Sequence, residues 1–327
     1  MKALVTGATG FIGSHLVDHL LRKGYAVRVL LRTTSDTVWL KDLPVETVTG
    51  DLFNREALRT AVRDVDYVYH SAGLTKAKTT EGYFTANATG TQTLLAAVVE
   101  HAPRIRRFIH VSSQAAAGPS PDATPITEDT PPRPITSYGR SKWESERACH
   151  RVMDMIPVTI VRPPAVYGPR DRDVFEFFHT MSRGLQPMIG FHDKTVSLIH
   201  VTDLVRGFVM AGEHEAAKGR TYFITSGTVY GWREIGDVTR EALGTRTLRV
   251  RIPVFGVYVV AAIAEALAAF SAKPALINIE KARDMVQDRW TCDGTRAKQE
   301  LGFEAAIPLP EGVRETVAWY RAKGWLK

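Results

Sequence analysis

A glycine turn at the start of the chain restricts the fold more than any other feature. Gly7-Ala8-Thr9-Gly10-Phe11-Ile12-Gly13 has the spacing GxxGxxG and joins a short apolar strand, residues 2–6, to an amphipathic helix, residues 11–23. The helix carries Leu16, Leu20 and Leu21 on one face and ends near Gly24. Glycines at these positions permit a tight turn, a close backbone approach to a bound group and close packing of helix on strand. The helix start then offers free amide donors and the positive end of its dipole, which together suit a pyrophosphate. A glycine triplet alone says little, but one placed between a strand and a helix is specific. A nucleotide-cofactor site built on Gly7, Thr9, Gly10, Phe11, Ile12 and Gly13 is expected.

The pattern then repeats. Apolar runs at 26–31, 45–49, 65–70, 108–112 and 158–161 read as strands, and helical segments separate most of them. Near-continuous apolar strands alternating with helices imply an α/β fold with a doubly wound parallel sheet of the Rossmann type. Pro-rich loops at 119–134 and 169–173 mark a change of texture. Residues 1–169 are expected to form the dinucleotide-binding domain, and 170–327 mainly a smaller C-terminal substrate-binding domain. Strand character returns at 197–200 and 221–225, so the chain is expected to cross back into the first domain near 197–212 and 221–226.

Composition narrows the class. The length of 327 residues suits one large α/β unit or two modest ones. A hydrophobic content of 44% with 24% charged residues is that of a soluble globular protein. Cys149 and Cys292 lie far apart and form no CxxC, which argues against a disulfide scaffold or zinc site and for a reducing compartment. The chain enters a strand from Met1, leaving no room for a signal peptide, so a cytoplasmic location is expected. A net charge of +7 raises nucleic acid or an anionic membrane as partners. The Arg and Lys residues are scattered without interleaved aromatics, so no nucleic-acid partner is expected, and a polyphosphate cofactor accounts for a basic balance. His15 and His19 have a metal-compatible i, i+4 spacing but no third ligand in view, so no metal is expected. His192 and His200 read as loop and strand-end residues. An apolar run at 252–264 follows Arg246, Arg249 and Arg251 and is broken by Glu265. It is too short to span a bilayer. It reads as a buried helix roofing the substrate site, with peripheral membrane contact as the other reading.

Other residues define chemistry. The second strand ends Leu30-Leu31-Arg32-Thr33-Thr34, with no carboxylate for the ribose hydroxyls of NAD. A guanidinium can pair with a 2′-phosphate, so Arg32 favours NADP over NAD, with Asp36 as the alternative ribose partner. Asp51 after the third strand can accept from the adenine amino group, with Leu52 against the ring. Ser71, Ala72 and Gly73 after the fourth let the chain pass close to the cofactor. Tyr138 and Lys142 lie one helical turn apart in a YxxxK motif. There a Lys ammonium can lower the phenol pKa, making Tyr138 an acid or base near neutral pH. Ser112-Ser113 end a strand upstream, where a hydroxyl can hydrogen-bond a substrate oxygen.

These motifs, with Gly50-Asp51-Leu52, His70-Ser71-Ala72-Gly73, Arg162-Pro163, Tyr167-Gly168-Pro169 and a tail from Asp293 through Leu301-Gly302-Phe303 to Trp319-Tyr320, resemble the extended short-chain dehydrogenase/reductase (epimerase/dehydratase) family over nearly the whole chain. The resemblance implies that Ser113 polarises the substrate oxygen, that Tyr138 is the general acid/base, and that Lys142 tunes Tyr138 and holds the nicotinamide ribose. Ser113 is preferred to Ser112 by its spacing from Gly118. Pro163 joins the cofactor contacts, and Asn87 takes the family's helix-facing Asn position with either a structural or a site role. Arg162 is read as a strand-end anchor. Three departures select a branch. Ser113-Gln114-Ala115 lacks the Asp-Glu pair of the 4,6-dehydratases. Pro164-Ala165 stand where nucleotide-sugar enzymes carry an Asn before Val-Tyr-Gly. Arg32 suits NADP. The chain is most similar to the dihydroflavonol-reductase and 3β-hydroxysteroid-dehydrogenase branches, which implies a hydrophobic ketone, aldehyde or alcohol as small-molecule substrate. A nucleotide-sugar epimerase with a tightly held NAD(P) is the alternative. A cofactor-sensing regulatory protein is a third reading, opposed by the presence of Ser113, Tyr138 and Lys142 together. The resemblance also implies a homodimer built on helices around 89–100 and 138–152.

Overall fold

The computed structural model describes residues 1–268 and 278–326. In chain order the first half comprises β1 (Lys2–Thr6), α1 (Phe11–Arg22), β2 (Ala26–Leu31), β3 (Val45–Thr49), α2 (Arg55–Val62), β4 (Tyr67–His70), α3 (Thr80–Tyr83), α4 (Gly90–His101), β5 (Arg107–Val111), α5 (Gln114–Ala117), α6 (Ser137–His150) and β6 (Val158–Arg162). The second half adds β7 (Ala165–Tyr167), α7 (Phe175–Ser182), β8 (Leu185–Ile189), β9 (Thr195–His200), α8 (Val201–Glu213), β10 (Thr221–Phe223), β11 (Val229–Gly231), α9 (Trp232–Leu243), β12 (Leu248–Ile252), α10 (Val254–Ala268), α11 (Ile279–Met285), β13 (Arg289–Trp290), α12 (Thr295–Leu301) and α13 (Leu309–Ala322).

The main sheet has seven strands in the order β10-β6-β5-β4-β1-β2-β3, and every pair is parallel. β1, β4, β5 and β6 are buried almost throughout, which is why they read as unbroken apolar runs. One face of the sheet is covered by α1, α8 and α12 through Leu16, Leu20, Leu204, Phe208 and Leu301. The other is covered by α2, α4 and α6 through Leu58, Leu94, Val98 and Ala148. Each fully buried Leu in these layers contributes about 1.5–3 kcal/mol of transfer free energy. Strand order reverses between β1 and β4, and the crevice at their carboxyl ends is where such sheets bind ligands.

The two expected returns to the first sheet differ. β10 pairs with β6 and extends the main sheet, as expected from 221–225. β9 instead joins a second sheet with β7, β11 and β13. The strand at 197–200 is therefore correctly placed but belongs to the other sheet; the return near 197–212 is made by α8, which packs under the main sheet. Strand propensity is local, whereas the choice of pairing partner is not. β8 and β12 form a separate parallel pair. α10 departs from the expected buried helix: Val257 and Ala261 are buried, but most of its other large side chains are exposed. Ala269 and Phe270, which follow α10, lie outside the described residues.

Candidate active site

Two concave spaces meet above the carboxyl ends of β1, β4, β5 and β6. One, of about 230 Å³, is lined by Phe11, Ile12, Ser71, Gly73, Lys142 and Pro163 among others. The other, of about 420 Å³, reaches the second sheet and α11, with Ala115, Ala165, Val196, Trp232, Met285 and Trp290 in its wall. Thr75, Ser113, Tyr138, Pro164 and Asp173 border both.

The smaller space is built on the glycine turn. Gly7 has φ +74°, and a side chain there would come within 2.6 Å of the Ala72 amide nitrogen. A Cβ on Gly13 would stand 2.1 Å from the Gly7 carbonyl oxygen. Gly10 caps α1 with no side-chain hydrogen bond, and the first turn holds no acidic residue. The amides of Phe11, Ile12 and Gly13 therefore lack intrahelical acceptors, and the positive end of α1 faces the turn. This cradle fits a dinucleotide diphosphate. Arg32 follows β2, is exposed, and makes no side-chain hydrogen bond or ion pair among the described residues. Asp36 is exposed too and accepts from the Val38 amide at 3.1 Å. Asp51 Oδ1 accepts from the amides of Phe53 and Asn54 at 2.9 and 3.0 Å, so it also shapes the turn before α2. Leu52 lies against α4, where Thr93 Oγ1 donates to its carbonyl at 2.5 Å.

Helix α6 starts at Thr136, whose Oγ1 accepts from the Gly139 amide at 3.1 Å. Tyr138, Lys142 and Glu146 then follow at successive i, i+4 positions on one face. Ser113 caps α5, accepting from the Ala115 amide at 3.1 Å, and lines both spaces together with Tyr138. Ser112 points the other way, as alternation along an extended chain requires, and donates to Glu146 Oε1 at 2.5 Å. Of the two serines, Ser113 is thus the one beside Tyr138. Lys142 Nζ is buried and donates to the Val111 carbonyl at 2.6 Å.

The electrostatics differ from the expectation that Lys142 draws the phenol down. Burial pushes Tyr138 up to about 12, with the Ser113 hydroxyl working against it. Burial also brings Lys142 down to about 8, with the Glu146 carboxylate opposing. Desolvation disfavours both charged forms, and Lys142 directs its proton at a backbone carbonyl rather than at the phenol.

Several supporting residues were not evident from spacing alone. Glu146 is fully buried and accepts from Arg162 Nε and Nη2 at 2.9 and 2.6 Å. Its place one turn after Lys142 was readable; its partner on β6 was not. Arg162 is thus an anchor beneath the site. Asn87 sits in a π-helical turn, Phe84–Thr89, between α3 and α4. Its Oδ1 accepts from the Leu74 amide at 2.8 Å, and its Nδ2 donates to the Leu74 carbonyl and Ser141 Oγ at 3.0 and 2.9 Å. Asn87 therefore ties the loop after β4 to α6. His70 bridges Thr6 Oγ1 and Thr91 Oγ1 at 2.7 and 2.9 Å, and burial holds it down to about 3, so it is neutral. His15 Nε2 lies 2.8 Å from the Pro169 carbonyl oxygen. Asp284 in the wall of the larger space is pushed up to about 6 by burial.

A Rossmann sheet with a diphosphate cradle at its switch point, and Ser113, Tyr138 and Lys142 beside it, defines an NAD(P)-dependent oxidoreductase-type enzyme. The chain belongs to the NAD dependent epimerase/dehydratase family, whose model matches residues 3–241. It is 33% identical over 328 residues to the ceramide reductase of Caulobacter vibrioides, spanning 98% of this chain and 95% of that protein. It is 30% identical over 353 residues to sterol demethylase protein B of Methylococcus capsulatus, spanning all of both chains. Its fold matches that of a UDP-glucuronic acid 4-epimerase from Bacillus cereus, solved with UDP-glucuronic acid and NAD, at a TM-score of 0.79 and 24% identity, covering 99% of this chain and 100% of that one.

Proposed function

We propose that this enzyme is an NADP-dependent oxidoreductase interconverting a hydrophobic ketone or aldehyde and its alcohol. The observation that carries the reading is the placement of Ser113 and Tyr138 together at the border shared by the two spaces. The glycine turn, Ser71, Ala72, Gly73 and Pro163 would hold the dinucleotide, Arg32 would take the 2′-phosphate, and Asp51 and Leu52 would receive the adenine. When bound, the nicotinamide would supply or accept the hydride. Ser113 positions the substrate oxygen. Tyr138, protonated at neutral pH, gives that oxygen its proton in reduction and takes it back in the reverse direction. Lys142 binds the ribose and supplies positive charge under the site.

The larger space suits an apolar substrate. Ala115, Pro164, Ala165, Val196, Trp232 and Met285 line it, and no arginine does among the described residues. Its ammonium groups are mostly engaged. Lys76 pairs with Asp173 at 2.5 Å, and Lys194 donates to the carbonyls of Val286 and Gln287 at 2.7 and 2.8 Å, leaving the exposed Lys281. A sugar diphosphate calls for free cations, best supplied by arginine. Two relatives named for a ceramide and a sterol point in the same direction.

A thermal-shift titration tests the substrate class, because a ligand of the folded state must raise the midpoint above its dissociation constant. NADPH is expected to raise it, and UDP-glucose and dTDP-glucose are not. A strong shift with either sugar nucleotide would favour the epimerase. Arg32→Ala is expected to weaken NADPH binding by roughly 10- to 100-fold, the worth of a charge-assisted hydrogen-bonded pair, and to leave NADH nearly unchanged. Direct binding titrations read both, and equal losses would remove the case for NADP.

A further inference from the structure

Helix α10 carries a row of large apolar side chains that stay exposed among the described residues. Its inner side, Val257 and Ala261, packs with Ala282 of α11, Ile189 of β8 and Ile252 of β12. On the outer side Phe255, Val259, Ile263 and Leu267 follow one another at i, i+4 spacing and are 72%, 51%, 57% and 69% exposed. A contiguous apolar row of this kind marks an interaction site rather than ordinary surface. The row continues past the start of α10. The Gly190 amide donates to the Ile252 carbonyl at 2.9 Å and holds the exposed Phe191 there. Along β12 the exposed Leu248 and Val250 alternate with Arg249 and Arg251. Arg249 is paired with Asp237. Arg251 donates to the Phe191 carbonyl at 2.8 Å, and neither it nor Arg246 has a carboxylate partner among the described residues.

We propose that this face docks on an anionic lipid bilayer, with the outer side of α10 in the boundary between headgroups and acyl chains. Charge selects the occupant: the apolar row is preceded in the chain by the exposed Arg246 and Arg251, neither with a carboxylate partner among the described residues, on a chain of net charge +7. Each such cation near an anionic membrane surface strengthens binding by about fivefold. The contact is peripheral. α10 has 15 residues, and among the described residues no helix is long and apolar enough to cross a membrane. The inner side of α10 is one layer from the substrate space, since Ile189 and the α11 residues Asp284 and Met285 line that space. Docking therefore sets the cavity next to the bilayer, a consequence that rests on the hydrophobic-substrate reading.

Vesicle flotation of the full chain tests the docking. The protein is expected to float with phosphatidylcholine vesicles containing phosphatidylglycerol and much less with phosphatidylcholine alone. Phe255→Asp with Ile263→Asp, and separately Arg246→Glu with Arg251→Glu, should each cut partitioning by about tenfold or more. All four side chains are exposed, so the melting midpoint and its shift by NADPH should be retained, which shows that the variants fold. Absence of flotation by the natural chain, or flotation indifferent to both variants, would overturn the proposal. So would a dimer in light scattering that Phe255→Asp with Ile263→Asp converts to monomer without any lipid binding, since α10 would then join two copies. Flotation reads no turnover, so its failure leaves the reductase reading standing, and an inactive but floating enzyme leaves the docking standing.

Discussion

Tyr138→Phe is expected to lower kcat by roughly 100- to 10,000-fold, the usual worth of a positioned general acid. The substitution removes one oxygen and little else. The ring keeps its packing against Tyr83, with centroids 6.2 Å apart, so the fold and the cofactor cradle should be unaffected. The lost oxygen belongs to the side chain that, with Ser113, borders both spaces. Reduction of a carbonyl adds a hydride at carbon and a proton at oxygen. With its phenol pushed up to about 12 by burial, Tyr138 carries that proton at neutral pH. Steady-state turnover of a hydrophobic ketone with NADPH measures the loss, and a thermal shift with NADPH alone shows that binding survives. Wild-type turnover in the variant would end the proposed mechanism. Loss of NADPH binding together with turnover would reassign Tyr138 to the cofactor site.

What the sequence disclosed follows a physical boundary. β1 and β2 were readable to the residue because buried parallel strands are near-continuous apolar runs bounded by turns. The glycine turn and the Tyr138–Lys142 face were readable because each is set by contacts within a few residues. Features set by distant parts of the chain were not. The direction of the Tyr138 shift depends on burial, which is a tertiary property that local reasoning from Lys142 does not include. The strand at 197–200 was visible, but its neighbours β7, β11 and β13 come from elsewhere in the chain. α10 is apolar on nearly all sides, a pattern that ordinarily means burial, and only the packed structure shows that one side faces outward. Asp284, from a short helix far along the chain, carries no local signal of its place in the cavity wall.

The Glu146–Arg162 pair supports the second large effect, and it links the fold to the site. Both side chains are almost fully buried, at 0% and 4% exposure, and Ser112 completes the set by donating to the same carboxylate. Glu146→Ala leaves Arg162 charged and buried, with its Nη1 already lacking a partner. Removing one member of such a pair costs about 3–5 kcal/mol, because the remaining charge stays desolvated. For a chain of this size the melting midpoint should fall by roughly 4–7 °C. Arg162→Met together with Glu146→Met should recover most of that loss, since neither charge is then left alone. A midpoint unchanged in Glu146→Ala would mean that water reaches Arg162. The same substitution has a second readout. The Glu146 carboxylate raises Lys142, which burial holds near 8, so its removal should lower Lys142 further. If charged Lys142 supports turnover, activity is lost as pH rises through its pKa, and that alkaline limb should move to lower pH in Glu146→Ala. Activity-against-pH curves below the melting midpoint of the variant measure the displacement. A limb that stays in place while stability falls would confine Glu146 to holding β6 against α6.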